Sequence, residues 1–460
     1  DNAETEDITA QGLVGVFGFK GKLPITASAI FPLHQGYTTP SLKRLGYSVP
    51  ERVGMSSDSL NYIGTIAQYM IDIEAAPGCE VLIARDGRII YERAFGKHTY
   101  AMDHPVEMTD LYDLASVTKV AATTLTVMRL QKEGLINIDK TLGDYLPWLK
   151  GSNKEHMVIR KVMAHQAGLQ SWIPFYEKTV SLEDDYWLEM EPDLYCGTPD
   201  SKHCILVAGD MYMDRAYLDT IRQQIIESPL NADGTYVYSD LGFIMLAEIV
   251  KRQTGVTLDQ YVDSVFYKPM GLRRIGFHPL DRFPTDEIVP TEVDNYFRCQ
   301  TLTGYVHDMS CAMLGGVSGH AGLFADAENL AVLMQMLMND GAYGGEQYID
   351  PDILHMFTTR YANGTRRGIG FDMKELNPEK TLLTSPLASD QTYGHTGFTG
   401  ICIWNDPAQR LVYIFLSNRT FPSMRATNKL TNHKIREKIH SRAYRSIQGY
   451  HSYNPDLLPG

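Results

Sequence analysis

The sequence predicts an α+β fold: an antiparallel β-sheet flanked by helices as an α/β/α sandwich, carrying a mostly helical subdomain. Three observations point there. Residues 79–95 read as two strands around Asp86-Gly87, a strong hairpin signal. Strand-like runs return near the other end, at 401–404 and 411–416, separated by Asn405-Asp-Pro-Ala-Gln-Arg410. Between them, apolar residues recur mainly at three- and four-residue spacing, the helical period. Early and late strands then complete one sheet, and the intervening chain projects from it.

Residues 1–45 read as a separate N-terminal arm or linker, and 46–460 as the main domain. Within the arm, Gly12-Leu-Val-Gly-Val-Phe-Gly-Phe-Lys-Gly-Lys-Leu-Pro-Ile-Thr26 alternates small and apolar residues, which predicts a short strand running into an extended stretch with Pro32 and Pro40. An amphipathic helix follows over 56–73, with Ser57 and Asp58 as caps and Leu60, Ile63, Ile66, Ala67 and Met70 on one face. Pro77-Gly78 breaks it. A largely buried helix is expected over 114–130, where Val120, Ala121, Ala122, Leu125, Val127, Met128 and Leu130 repeat at helical spacing until Gly134. Residues 176–213 read as a surface loop, in which Glu183-Asp-Asp185 and Tyr186-Trp187 either border a pocket or face water. Tyr238 and Asp240 fall on a loop at the start of an apolar helix, 243–254. The Gly-rich loop 314–324 opens a helix from Asn329 on, and the Gly-flanked run 394–400 leads directly into the strand at Ile401. A basic helix over 432–446 is placed against the sheet.

The 460 residues are 44% hydrophobic and 21% charged, ordinary for a globular chain. No run of eighteen apolar residues predicts a membrane span, and the chain opens without a basic-then-apolar leader. A formal net charge of −13 argues against nucleic acid and anionic membranes as partners. The 6 cysteines form no Cys-x-x-Cys pair, so no metal centre or cofactor is expected. Cys196 and Cys204 flank a Gly-Thr-Pro-Asp-Ser turn and are open to pairing in an oxidising compartment.

The chemistry concentrates in 115–119, Ala-Ser-Val-Thr-Lys. Ser116 and Lys119 are three apart at a helix start, so their side chains share one face. A hydroxyl there has an amine beside it and the positive end of the helix dipole behind it, both favouring a developing alkoxide or oxyanion. A Lys in an apolar setting loses its proton near neutral pH and acts as a base. One Ser-x-x-Lys arises by chance in roughly every chain of this length, so the pair gains weight only from its company.

That company is Tyr238-Ser-Asp240 and Gly394-His-Thr-Gly397. In chain order, Ser-x-x-Lys, Tyr-x-Asp and His-Thr-Gly on a strand edge resemble the serine β-lactamase and penicillin-binding-protein superfamily, and most of all its class C β-lactamase-like group, which includes D-peptidases and esterases. The resemblance runs from about Gly54 to Ile447 and takes in 110–119, 134–147, 163–169, 238–255 and 315–324. It implies a β-lactamase/DD-peptidase-like fold and a serine hydrolase. Ser116 is then the acylated nucleophile. Lys119 and Tyr238 share proton handling, with Tyr238, its pKa lowered by Lys119, favoured for the leaving group or the deacylating water. The N–H groups of Ser116 and Phe398 form the oxyanion hole, and Asp240, His395, Thr396, Gly397 and Phe398 bind substrate. Gly397 is expected where a side chain would block the substrate's approach. His165 and His320, in Gly-flanked loops, are read as structural. The arm's Gly-Lys-Leu-Pro also resembles the closing segment of glycoside hydrolase family 3 enzymes, which implies an upstream glycosidase domain in the same polypeptide.

Two positions depart from the antibiotic-hydrolysing pattern: His395 stands where Lys is usual, and Asp240 where Asn is usual. Both make the pocket less positive. The expectation is an amide or ester hydrolase (D-peptide, β-lactam-like or ester) in bacterial cell-wall turnover, periplasmic or exported. The alternative from another class is an inactive domain of the same fold that binds cell-wall fragments or a partner.

Overall fold

The computed structural model describes residues 2–101, 104–183, 187–191, 193–232, 234–362, 364–425 and 428–449. Its centre is a seven-stranded sheet built from β1 (Gly46–Tyr47), β2 (Gly78–Arg85), β3 (Arg88–Gly96), β4 (Asp372–Met373), β5 (Tyr393–Thr396), β6 (Cys402–Asp406) and β7 (Leu411–Ser417). The order across it is β1-β3-β2-β7-β6-β5-β4. Every pairing is antiparallel except the short parallel edge of β1 on β3. The late strands insert beside the early hairpin, Leu411 opposite Arg85 and Ser417 opposite Cys79. Asp86 and Gly87 both take positive φ, 53° and 72°, as a two-residue hairpin turn requires.

Alternation along the strands divides the core between the two faces. Val81, Ile83, Trp404, Tyr413 and Phe415 pack with Ile435, Ile439, Ala443 and Tyr444 on one side. Leu82, Ala84, Ile403, Val412 and Ile414 pack with the rest of the chain on the other. The first face is covered by α2 (Ile63–Asp72) and the basic C-terminal helix α6 (Ile435–Arg445), whose Arg436 carbonyl accepts from Tyr413 Oη at 3.0 Å. The second carries α3 (Leu125–Lys132), α4 (Leu241–Thr254) and α5 (Ala327–Met338). The helices-sheet-helices layering is the one expected.

Several local expectations are corrected. The helix over 56–73 is two pieces, Ser57–Asn61 and α2, and its cap is Ser56, whose side chain accepts from Ser59 N, rather than Ser57 or Asp58. The arm forms no strand over 12–26. Instead α1 (Ala3–Leu13) precedes an irregular loop closed by backbone bonds between Gly15 and Leu42, Phe19 and Thr39, and Leu23 and His34. The arm folds onto the domain: Gln11 Oε1 accepts from Tyr47 N at 2.9 Å, and the Lys43 carbonyl from Asn339 Nδ2 at 2.8 Å.

The 176–213 segment is not a plain loop. It holds the hairpin Val180–Glu183 with Trp187–Met190, and a three-stranded sheet in which Met211–Asp214 lies between Tyr195–Cys196 and His203–Ala208. That intervening strand separates Cys196 from Cys204 by two strand spacings, about 10 Å, beyond disulfide reach. Both thiols are free. The acidic and aromatic positions expected at a pocket border, 184–186 and the side chains of Glu183 and Trp187, lie outside the described residues.

Candidate active site

The chain reaches Ser116 through a strained turn. Ala115 sits at φ +45° with its N–H held by Asp113 Oδ1 at 2.8 Å, and Ala115–Val117 winds as a 3-10 turn. A π-helical stretch, Lys119–Thr124, then leads into α3. This wider winding replaces the uniform α-helix expected, and such bulges recur at functional sites. The Gly-rich loop braces it: Leu114 N donates to Leu323 O at 2.9 Å, and Thr123 Oγ1 to Gly319 O at 2.7 Å. A Cβ on Gly319 would lie 2.1 Å from Phe243 O, so only glycine lets this loop pass between the helix that carries Ser116 and α4.

Lys119 is wholly buried. Its Nζ donates to Ser116 Oγ at 2.9 Å and to the His320 carbonyl at 3.3 Å, and meets Asp240 Oδ1 at 2.6 Å. It also lies 4.9 Å from the centroid of the Tyr238 ring. Burial pushes its pKa down, but Asp240 and then Tyr238 outweigh burial and the net shift is upward. Lys119 at rest is therefore an ammonium ion. This corrects the expectation of a lysine neutralised by an apolar setting, because the carboxylate at 240 pairs with it.

Tyr238 is corrected in the same sense. Burial raises its pKa, Asp240 adds to the rise, and the opposing pull of Lys119 and Arg367 does not overcome them. The phenol is neutral at rest. Its hydroxyl is buried without a hydrogen bond of good geometry among the described residues, and its ring rests 4.5 Å from that of His165. Burial, with Arg367 and Lys119, drives the His165 pKa far down, and its Nδ1 accepts from Ser239 N at 3.1 Å, fixing the Tyr238 loop. His320 is bound on both nitrogens, to Ser318 Oγ and Asp308 Oδ1, each at 2.8 Å. Both histidines adjoin the site as supports.

Strand β5 brings the third motif to the same place. Thr399 Oγ1 donates to Asp113 O at 2.8 Å. A Cβ on Gly397 would stand 2.6 Å from Leu114 O and 3.5 Å from Ala115 Cβ. The glycine is thus required by contact with the turn that carries Ser116. Phe398, next in the chain, is half-exposed.

His395 differs most from its expected part. Its Nδ1 meets the Thr396 carbonyl at 2.7 Å, so that nitrogen carries the proton. Its Nε2 then accepts from Arg367 Nη1 at 3.4 Å. Burial, Arg367 and Lys119 all push its pKa far down. His395 is a neutral ring with both nitrogens engaged, leaving no N–H for a substrate carboxylate. The buried Arg367 also donates to Tyr236 Oη at 3.0 and 2.8 Å and lies 5.1 Å from the Tyr238 ring centroid. Sequence reasoning missed this cation. It lies in the unpatterned run Thr365-Arg-Arg-Gly368, and nothing there signals that it folds behind the motifs.

Among the described residues, two clusters have donor atoms close enough for a metal ion, His98–His104–Asp110 and Cys196–Asp200–His203. In the first, His98 Nε2 is committed to Asp110 at 2.8 Å. In the second, both His203 nitrogens are committed to Asp200 and to the Asp193 carbonyl.

Comparison with known proteins gives a consistent picture. The family model described as beta-lactamase matches residues 65–436. A protein of Escherichia coli (strain K12) named "Putative D-alanyl-D-alanine carboxypeptidase" is 31% identical over 399 residues, 81% of this chain and 85% of that protein. A Salmonella heidelberg (strain SL476) protein of the same name is 30% identical over 80% and 85%. Among solved structures, the penicillin-binding-protein homologue from Caulobacter crescentus superposes with TM-score 0.60 at 18% identity, covering 85% of this chain and 99% of its own. The hydrolase EstCE1, titled as having promiscuous acyltransferase activity, gives 0.59 at 21%, covering 83% and 99%. A class C β-lactamase gives 0.58 at 15%, covering 84% and 98%. At these identities the structural likeness establishes the fold.

Proposed function

The chain belongs to the beta-lactamase family and is a serine hydrolase of that fold; from this premise we propose that it cleaves an amide or ester through an acyl-enzyme on Ser116. The observation that carries the proposal is the buried Lys119 Nζ held 2.9 Å from Ser116 Oγ and 2.6 Å from Asp240.

In the proposed first step, Lys119 passes a proton to the Asp240 carboxylate as it takes the Ser116 proton, so the amine is charged again once the alkoxide forms. The alkoxide attacks the substrate carbonyl, and the carbonyl electrons move onto oxygen, stabilised by the N–H groups of Ser116 and Phe398. On collapse the leaving group takes its proton from Tyr238, which Lys119 and Arg367 support as a transient phenolate. Water cleaves the acyl-enzyme by the reverse proton path. Thr396 and Gly397 line the acyl chain's approach along the strand edge. Asp240 and His395 act on Lys119 and Tyr238 rather than on substrate.

The relatives' name supports a D-alanyl peptide substrate, and with it a bacterial, exported enzyme of cell-wall turnover. The arm's resemblance to a glycosidase tail supports an upstream sugar-cleaving domain, which the length of the native polypeptide on an immunoblot tests. No helix of the described residues is long and apolar enough to cross a membrane.

The decisive experiment is labelling by a fluorophosphonate probe, with turnover of p-nitrophenyl butyrate and of a D-alanyl-D-alanine peptide. Both are expected in the native chain and absent in Ser116→Ala. Labelling that survives the substitution excludes Ser116, and a native chain that neither labels nor turns over is a binding domain.

A further inference from the structure

Past the end of β3 the chain doubles back on itself before it reaches the Ser116 segment. Backbone bonds from His98 N to His104 O at 2.9 Å and from Val106 N to Gly96 O at 3.1 Å close this turn, and Lys97 pairs with Pro105 as an antiparallel bridge. His98 and His104 are thereby set side by side, their ring centroids 4.6 Å apart. The chain then returns with Asp110, whose Oδ2 meets His98 Nε2 at 2.8 Å. The donor atoms of all three side chains lie within 4.8 Å of one another.

Two of the three are fixed by the fold. His98 and Asp110 are 5% and 2% exposed, while His104 faces solvent. Glu107 N donates to Asp110 Oδ2 at 2.7 Å, and the buried Asn418 donates through Nδ2 to the His98 carbonyl at 2.8 Å. Partners of this kind orient ligands around a metal ion. A structural His-Asp pair has no need of a second imidazole, yet the His104 ring rests against His98 and makes no hydrogen bond among the described residues. The set contains no cysteine, so cysteine spacing carries no sign of it.

We propose that His98, His104 and Asp110 bind a divalent transition-metal ion of the zinc type, through one imidazole nitrogen from each histidine and one carboxylate oxygen. Two imidazoles with a carboxylate suit zinc, whereas magnesium and calcium seek oxygen ligands alone. Ligand atoms on a tetrahedral zinc stand about 3.3 Å apart, so the His98–Asp110 contact opens by about half an ångström and the exposed His104 closes the remainder. The ion takes the place of the proton shared by His98 Nε2 and Asp110 Oδ2, which leaves to solvent. Water completes the coordination. Because Asp110 opens the run that leads through Asp113 to Ser116, the bound ion ties down the root of that turn. Its role is structural, and it adds no step to acyl transfer.

The test is calorimetric titration of EDTA-stripped, dialysed native chain with zinc chloride. A single ion per chain is expected, with an enthalpy that changes with buffer as the proton is released, and a Tm that rises with zinc. His104→Ala keeps the backbone bond to His98 and is expected to melt like the metal-free native chain. It should bind zinc at least about tenfold more weakly, since changes to outer-shell partners alone cost about 10–100-fold. Cobalt-loaded protein is expected to show visible bands of a nitrogen and oxygen site without a sulfur-to-cobalt charge-transfer band, and Cys196→Ser to bind as the native chain does. Failure to bind zinc, affinity and Tm shift that survive His104→Ala, or a sulfur band lost in Cys196→Ser overturns the proposal. The last result would place the ion at Cys196–Asp200–His203 instead.

Discussion

Asp240 holds Lys119 as an ammonium ion, carboxylate to amine at 2.6 Å, in a site where the same amine donates to Ser116 Oγ at 2.9 Å. In the proposed mechanism, proton transfer from Ser116 needs Asp240 free to accept the Lys119 proton. Asp240→Asn removes the acceptor, and Ser116 must wait for Lys119 to lose its proton to solvent. The acidic limb of kcat/KM for p-nitrophenyl butyrate is expected to move up in pH, with the pH 7 rate falling by about 100-fold, the low end of the usual general acid–base contribution. Stability follows with a definite sign. In the native protein Lys119 has a raised pKa, so the pair stabilises below the ordinary Lys pKa and that contribution is lost as pH rises through the raised value. In Asp240→Asn burial dominates, and stability instead declines as pH falls and the buried amine is forced to charge. A pH profile with an unmoved acidic limb would remove Asp240 from the proton path.

Arg367 and His395 make a second test, independent of turnover. The groups that face His395 are Arg367, Arg366, Lys119 and the Tyr238 ring, and burial with these cations keeps its pKa far down. Nitrogen NMR is expected to show a neutral Nδ1–H tautomer throughout pH 5–8 in the native chain. In Arg367→Gln the nearest cation is gone, so the His395 pKa rises and its charged fraction at pH 5 increases. The Tyr238 pKa rises too, since Arg367 opposes it, and leaving-group protonation loses its support, lowering kcat more than it raises KM. A His395 that titrates normally in the native protein rules out the coupling.

Gly397 shows how closely two motifs are fitted. Gly397→Ala sets a Cβ 2.6 Å from Leu114 O. The edge strand or the turn that carries Ser116 must move, at about 1–3 kcal/mol, the usual cost of overpacking. The expected result is a lower Tm together with weaker fluorophosphonate labelling. Full labelling at native stability would mean that the turn and the strand edge are not in contact.

These tests also mark what was legible in the chain. The hairpin at Asp86-Gly87, the late strands and the helices over both faces carry short-range signals, and the fold follows from them. Ser116, Lys119 and Tyr238 are singled out because each motif is compact in sequence, and the structure brings them together. The charge states are not legible in this way, because they depend on residues brought together from afar. Asp240 reverses the proton balance of an amine 121 positions earlier in the numbering. Arg367 reaches His395 and the Tyr238 ring from an irregular run whose local sequence has no period. A reading of a less positive pocket from His395 and Asp240 does not include Arg367 for this reason. The two inserts were misjudged on other grounds: the arm's small and apolar alternation suits a strand, but its residues pack as a helix and loop on β1, and polar turns in 176–213 hid short strands.

The last prediction concerns Asp113, which is buried and accepts from Ala115 N at 2.8 Å and His307 N at 2.6 Å. The first bond holds the φ +45° turn that presents Ser116, and the second ties that turn to His307, whose ring adjoins Phe398. Burial raises the Asp113 pKa against the pull of these two N–H groups. Asp113→Ala leaves two buried backbone donors without an acceptor, each worth about 1–3 kcal/mol. The strained Ala115 then relaxes, and the Ser116 N–H swings away from the oxyanion position. The variant is expected to melt several degrees lower and to lose kcat on p-nitrophenyl butyrate by about 100-fold, as when one oxyanion donor is removed, with KM nearly unchanged. Asp113→Asn keeps one acceptor oxygen, so it should fall between the two. A kcat loss in Asp113→Ala no larger than its loss of folded protein would assign Asp113 to folding alone, because a positioning role demands that the correctly folded fraction also be slow.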